Sequence, residues 1–339
     1  MSKRMIVAAL MLGWTTSVIA LPTPAAKPDS TTAPAQPAPP VPSDAASAPS
    51  VARGTVPLPA TLTPDRQVLL RQQVALDRAG FSPGVIDAAD GSNFQNALTA
   101  YRAAHPGAEL VAADAPLPLA RYTIRPDDVA GPFAPVPKNL AKMAEMKTVG
   151  YTSPVEGLAE LFHADEAFLR ELNPGADFAK AGTVILVPDV IAPTLPKVAR
   201  IEIDKTRQQL RAFGADGAVV AIYPATVGST DRPAPSGRYK VVTWAPHATY
   251  TYDPKRLTFG KKSQGKLTIP AGPNNPVGGM WIALNKPTYG IHGTPEPRLV
   301  GKRASHGCVR LTNWDAAALG AAVERGTAVV FVGTEQRKG

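Results

Sequence analysis

Cysteine is nearly absent: Cys308 is the single cysteine in 339 residues, so no disulfide can form within the chain. A lone thiol is then either a small buried apolar group or a reactive one. Aromatic residues make up 6% of the chain, and Lys and Arg form no dense run. The stacking platforms and basic stripes of sequence-reading nucleic-acid proteins are therefore missing, and no nucleic-acid partner is expected. One cysteine with two nearby histidines falls short of the three or four ligands that zinc takes, so no metal is expected. Neither a Gly-rich Lys-Ser/Thr loop nor a strand-linked GxGxxG is present, and no cofactor is expected. Beyond the first twenty residues no segment is apolar enough to cross a bilayer.

The length, at about 150 residues per domain, points to two or three domains. Lys plus Arg number 36 against 27 Asp plus Glu, a net charge of +9. Basic charge spread this evenly suits an anionic polymer or surface, or solubility alone. Residues 1–20 read as a secretory signal: Lys3 and Arg4 precede the apolar "MIVAALMLGWTTSVIA", and Val18-Ile19-Ala20 supplies small residues for cleavage before Leu21. The competing reading, an uncleaved anchor, must use an apolar stretch of about sixteen residues, short for a span. A periplasmic or secreted location follows. Residues 21–60 are almost wholly Pro, Ala, Ser, Thr and Val, a semi-rigid linker with little to bury.

Within 61–106, Leu69 and Leu76, Leu70 and Val74, and then Phe94, Leu98 and Tyr101 recur at helical spacing around a Gly80–Gly84 break. The stretch "AGFSPGVIDAADGSNFQNALTAYRAAHP" resembles the small three-helix peptidoglycan-binding module, with Ala89, Asp90 and Asn93 departing from its pattern. Residues 119–190 are similar to a LysM module, a βααβ unit that binds N-acetylglucosamine-containing glycans. The resemblance rests on "RYTIRPDD", "LAELFHADEAFLRELNPG" and "AGTVILVP". An insertion at about 129–154 interrupts that pattern where the glycan groove would lie. His163 reads as a packed or solvated side chain rather than a ligand.

From 196 to 334 the chain turns to strands. "RIEID", "QQLRAFG", "AVVAIYPATVG", "SGRYKVVTWA", "MWIALN" and "TAVVFVG" are short apolar runs separated by turns, with one helix starting at Thr312 and Asp315 and stopping at Gly326. Trp244 and Trp281 read as core residues. The region 246–279, with Tyr250, Tyr252, Lys255, Lys261 and Lys262, reads as a lid or substrate channel. A thiol becomes nucleophilic when a base or positive charge removes its proton. Two histidines compete for that role: His306, two residues before Cys308, and His292, which can lie opposite on a neighbouring strand. Arg310 would point to the same side as Cys308.

"HGT" at 292–294 followed by "SHGCVRL" at 305–311 resembles the catalytic domain of L,D-transpeptidases, often called the YkuD domain. "IPAGPNNPVGGMWIALNKPTYGIHGT" adds to the likeness. The resemblance implies a multidomain protein: a mainly-β catalytic domain (a YkuD-like β-sandwich) with small α and α+β accessory modules. It implies Cys308 as nucleophile and His292 as base. Gly307, His306, Ser305, Gly293 and Arg310 would support the oxyanion and the loop, and Tyr289, Trp281 and Tyr252 would contact substrate. The implied partners are peptidoglycan stem peptides and glycan, with an outer-membrane lipoprotein as one acyl acceptor. The alternatives are an L,D-carboxypeptidase or amide hydrolase on the same fold, and a non-catalytic wall-binding protein.

Overall fold

The computed structural model describes residues 51–52, 58–190, 194–228, 233–255, 265–302 and 307–335. All lie in the compact unit Ala46–Gly339, as distinct from Met1–Ala45. The expected signal peptide lies outside the described residues, as does most of the expected linker. Part of that linker is ordered into a sheet: Val51–Ala52 (β1) pairs antiparallel with Leu119–Thr123 (β2), which pairs with Val184–Pro188 (β3). Among the described residues no helix is long and apolar enough to cross a membrane.

Pro64, which needs no N–H partner at a helix start, opens α1 (Pro64–Arg78), and α2 (Ser92–Ala104) follows. The 61–106 region therefore holds two helices where the resemblance implied three. Its helices bury Leu70, Val74, Phe94 and Leu98. In the next region α3 (Leu140–Ala144) belongs to the insertion, and α4 (Pro154–Leu161) and α5 (Glu166–Leu172) sit between β2 and β3. The Ser153 hydroxyl accepts from Glu156 N–H at the start of α4, and the Asp165 carboxylate accepts from Ala167 and Phe168 N–H at the start of α5. Each thus satisfies amides that a helix start leaves open.

The third region is built on β4 (Arg200–Asp204), β5 (Gln209–Phe213), β6 (Val219–Pro224), β7 (Thr226–Val227), β8 (Gly237–Pro246), β9 (Tyr250–Tyr252), β10 (Leu267–Ile269), β11 (Met280–Leu284), β12 (Gly290–His292), β13 (Val309–Arg310) and β14 (Ala328–Val332), with α6 (Asn313–Ala322) before β14. Nine of these strands form one sheet in the order β6-β5-β4-β14-β8-β11-β12-β13-β7. The two edge strands, β6 and β7, are separated in sequence by Ala225 alone, so the sheet curls back on itself around its core. Ile201, Ile203, Leu210, Ile282, Ile291, Leu319 and Val329 fill that core, each wholly buried. Each such side chain contributes roughly 2 kcal/mol of hydrophobic stabilisation.

Thr312 caps α6 by accepting from Asp315 N–H at 3.2 Å, and the helix ends at Ala322, ahead of Gly326. Trp244 departs from expectation. It is 39% exposed, because β8 turns only Val241 fully into the core.

The three regions are tied by backbone. Ser82 N–H donates to Ile222 C=O and Ile222 N–H to Gly80 C=O, at 2.9 and 2.8 Å, which covers the β6 edge. Ile86 exchanges hydrogen bonds with His163 and Asp165. The insertion leaves its own module and packs on the β9–β10 hairpin: Met143, Val149 and Ile269 are buried together, with Leu140, Tyr250 and Leu267 against them. Asn274 N–H donates to Val149 C=O and Val149 N–H to Ala271 C=O, both at 3.1 Å. The insertion therefore buttresses the region expected to form the lid.

Candidate active site

The site is set by two parallel neighbours. On β12 and β13, Ile291 lies opposite Val309 and His292 opposite Arg310. Leu311 N–H then donates to His292 C=O at 2.8 Å. Side chains alternate along a strand, so Cys308, one residue ahead of β13, falls on the side shared by Arg310 and His292. The turn into Cys308 needs glycine: Gly307 has φ +112°, and a Cβ there would stand 3.2 Å from the Tyr289 ring.

The Cys308 thiol is half-buried and donates to Thr288 C=O at 3.6 Å. Burial pushes its pKa up, against the lowering effects of the Gly290 N–H and the Arg310 charge. His292 is 4% exposed. Burial, with Arg310 nearby, drives its pKa down to about 3, while its bond to Gly293 works the other way. Its Nδ1 lies 2.7 Å from Gly293 C=O. A carbonyl can only accept, so Nδ1 carries the proton and Nε2 presents a lone pair. At neutral pH Cys308 is a thiol and His292, on the same side of the neighbouring strand, a neutral imidazole.

The Trp281 ring stacks on His292 at 5.5 Å between centroids, 26° from parallel, which gives this tryptophan a place beside His292 rather than in the core. Tyr289 lies against Gly307, and the Lys286 ammonium sits 5.0 Å above its ring. Tyr252, the last residue of β9, is fully buried, so its side chain is closed to the substrate contact that the resemblance implied. Ser305 and His306 lie outside the described residues, as do Lys261 and Lys262. A cavity of about 320 Å³ is lined by Tyr250, Asp253, Lys266, Trp281 and Thr288 among others, and Thr288 is the residue whose carbonyl accepts from the thiol. Burial and the neighbouring thiol raise Tyr250 to about 12.

Asn313, read in the sequence only as part of a helix start, is central to the site. Its Oδ1 accepts from Thr294 N–H at 3.1 Å and Gly279 N–H at 3.0 Å. Its Nδ2 donates to Pro273 C=O at 3.1 Å and to the Glu160 carboxylate at 3.1 and 2.9 Å. Glu160 comes from α4, and Tyr151 OH also donates to it at 2.9 Å. Burial lifts its pKa to about 7, with Glu156 adding to the rise and the Asn313 and Tyr151 hydrogen bonds opposing it.

A second buried cluster lies where the three regions meet. His163 Nδ1 is 3.0 Å from one Asp77 carboxylate oxygen and 3.1 Å from the other, and the ring stacks on Trp314 at 5.0 Å. Ser82 OH donates to Asp315 at 3.0 Å. Burial opposes the charge on His163, but Asp77, followed by Asp315 and Glu160, raises its pKa. Burial raises Asp315 to about 7, against the hydrogen bonds from Thr312 and Ser82.

Residues 198–331 match the model of the YkuD family, the L,D-transpeptidase catalytic domain. The chain is 30% identical over 178 residues to a YkuD L,D-transpeptidase of Bacillus licheniformis, covering 52% of this chain and 91% of that protein. It is 31% identical to the Escherichia coli K12 L,D-transpeptidase ErfK/SrfK over 188 residues, 53% of this chain and 60% of that one. The solved L,D-transpeptidase 3 of Mycobacterium tuberculosis overlaps 47% of this chain and 77% of its own at 16% identity and a TM-score of 0.34, a likeness too slight to carry weight. On the family match and the Bacillus relative, the chain belongs to the L,D-transpeptidase family built on the YkuD catalytic domain.

Proposed function

We propose that the chain is a peptidoglycan L,D-transpeptidase that works outside the cytoplasm through a thioester on Cys308. The observation that supports this reading is the parallel β12–β13 pair, on which Cys308 and His292 fall on one side, with His292 Nδ1 committed to Gly293. As substrate approaches, Nε2 of His292 takes the thiol proton. The sulfur attacks the carbonyl of the L-centre of diaminopimelate in a tetrapeptide stem, and backbone N–H groups of Gly307 and Cys308 receive the developing oxyanion. The C–N bond to the terminal D-Ala breaks, and the imidazolium returns its proton to the departing amine.

The thioester is then opened by an amine: a second diaminopimelate for a 3→3 cross-link, or a lipoprotein lysine for attachment. The proton lost by that amine returns through His292, and the thiol is regenerated. Because the thioester conserves the energy of the cleaved amide, no nucleotide is consumed. Arg310, on the same side as the reacting pair, orients substrate or holds the loop. Asp253 and Lys266 line the cavity that Thr288 and Trp281 also line, and suit an amino-acid side chain that carries an ammonium and a carboxylate.

Tetrapeptide-bearing muropeptides tested with the purified chain would separate this from its competitors. Cys308 should gain a stem-peptide adduct that has lost D-Ala, and linked dimers should follow; Cys308→Ala should give neither while still binding sacculi. Tripeptide without dimers would mean carboxypeptidation. Sacculus binding with no adduct at all would mean a wall-binding protein.

A further inference from the structure

We propose that Glu160, a residue of the 119–190 region, is a positioning residue for the chemistry at Cys308, acting through Asn313 on the peptide that orients His292. The inference rests on His292 being the base.

The peptide unit between Gly293 and Thr294 is held on both sides. Its C=O accepts from His292 Nδ1 at 2.7 Å, and its N–H donates to Asn313 Oδ1 at 3.1 Å. The orientation of this one plane therefore decides whether His292 keeps its proton on Nδ1 and its lone pair on Nε2. Asn313 can do this only with its oxygen toward Thr294. A side-chain amide reverses easily, and its direction is chosen by its partners. Gly279 and Thr294 offer only N–H donors on one side, while Pro273 C=O and the Glu160 carboxylate offer only acceptors on the other.

Ionised above its pKa of about 7, Glu160 then supplies the charged acceptor of that set, and hydrogen bonds to charged acceptors are the strong ones. Tyr151 OH holds the carboxylate in turn. The fit is close: a Cβ on Gly293 would overlap the Asn313 side chain. With Glu160 removed, Pro273 would be the one acceptor left of those holding the Asn313 Nδ2 group, and the plane beneath His292 would loosen. The region resembling a glycan-binding module thus contributes a working part to the catalytic cleft, across a sequence separation of 153 residues.

The test is single-turnover acylation of Cys308 by a carbapenem in the full chain at about pH 8, above the Glu160 pKa of about 7, with rates at saturating and limiting reagent and a thermal melt of each variant. Glu160→Ala should lower the saturated rate about tenfold, the cost of one lost charge-assisted hydrogen bond, and leave the half-saturating concentration unchanged. Glu160→Gln keeps an acceptor for Asn313 and a partner for Tyr151, and should stay within about twofold of wild type. Because the two residues act in series, Glu160→Ala with Asn313→Ala should be no slower than Asn313→Ala alone. If the alanine variant melts below the assay temperature, Glu160→Met, which keeps the volume without an acceptor, replaces it. An undiminished rate in Glu160→Ala beside a slow His292→Gln would overturn the proposal, as would multiplying effects in the double variant. An undiminished rate in His292→Gln would remove the base itself, and this inference with it.

Discussion

His292 and His163 are both buried, at 4% and 8% exposure, and both engage an oxygen through Nδ1, yet they end in opposite states. His292 meets a neutral carbonyl and feels Arg310, so burial prevails and it stays neutral down to about pH 3. His163 meets the Asp77 carboxylate with Asp315 and Glu160 beyond, so the same burial is overcome and its pKa rises. Burial alone therefore does not set the role of a histidine. The partner does: a carbonyl leaves the ring neutral with an available lone pair, whereas a carboxylate favours the charged form of a ring that links two modules.

The most severe way to break this contrast is at the active site. His292→Gln should slow acylation of Cys308 by about a thousandfold, as loss of a general base does, with little change in melting temperature. Asp77→Asn should do the reverse. Losing the charged partner of His163 should lower unfolding free energy by about 2 kcal/mol in a denaturant titration, with acylation nearly unchanged.

The cluster around His163 also predicts a pH dependence. Folded Asp315 keeps its proton up to about pH 7, whereas unfolded it ionises near pH 4. The folded state thus holds the extra proton between those values, and stability falls as pH rises across them. His163 acts in the same sense: its contribution is full below about pH 6.5, its unfolded value, and is lost as pH climbs through the raised folded one. Asp315→Asn removes the Asp315 part, so its melting temperature relative to wild type should rise by roughly 3 °C or more from pH 5 to pH 8. The smallest effect is expected from Trp281→Leu. Losing the stack on His292 should slow acylation about threefold, the scale of one aromatic pair, with stability nearly unchanged.

Cys308 and His292 stand out in the sequence because their signals are local, although spacing alone leaves His306 open beside His292 and only the family resemblance prefers His292. A lone cysteine after glycine, and a histidine able to lie on a neighbouring strand, are patterns of a few residues, and the parity that puts Arg310 beside Cys308 needs only the strand period. Glu160 and Asn313 were not legible. Each occupies an ordinary polar position on a short helix, and their partnership appears only once the middle region docks on the sheet. A polar Asn at the helix start five residues past Cys308 was the one local signal available for it. Trp244 departs from its sequence reading for a related reason: apolarity says that a side chain tends inward, but β8 turns only Val241 fully into the core. The insertion, which in the sequence only interrupts a module pattern, packs on the β9–β10 hairpin in the fold.

The most direct measurement is the ¹⁵N resonance pattern of the imidazole rings across pH 5 to 8, which reports tautomer and charge for each histidine. The account predicts that His292 stays neutral with its proton on Nδ1 throughout, while His163 is an imidazolium at the acid end of the range and loses its proton only above the usual histidine value. A His292 that is an imidazolium paired with a Cys308 thiolate at neutral pH, or one protonated on Nε2, would contradict it.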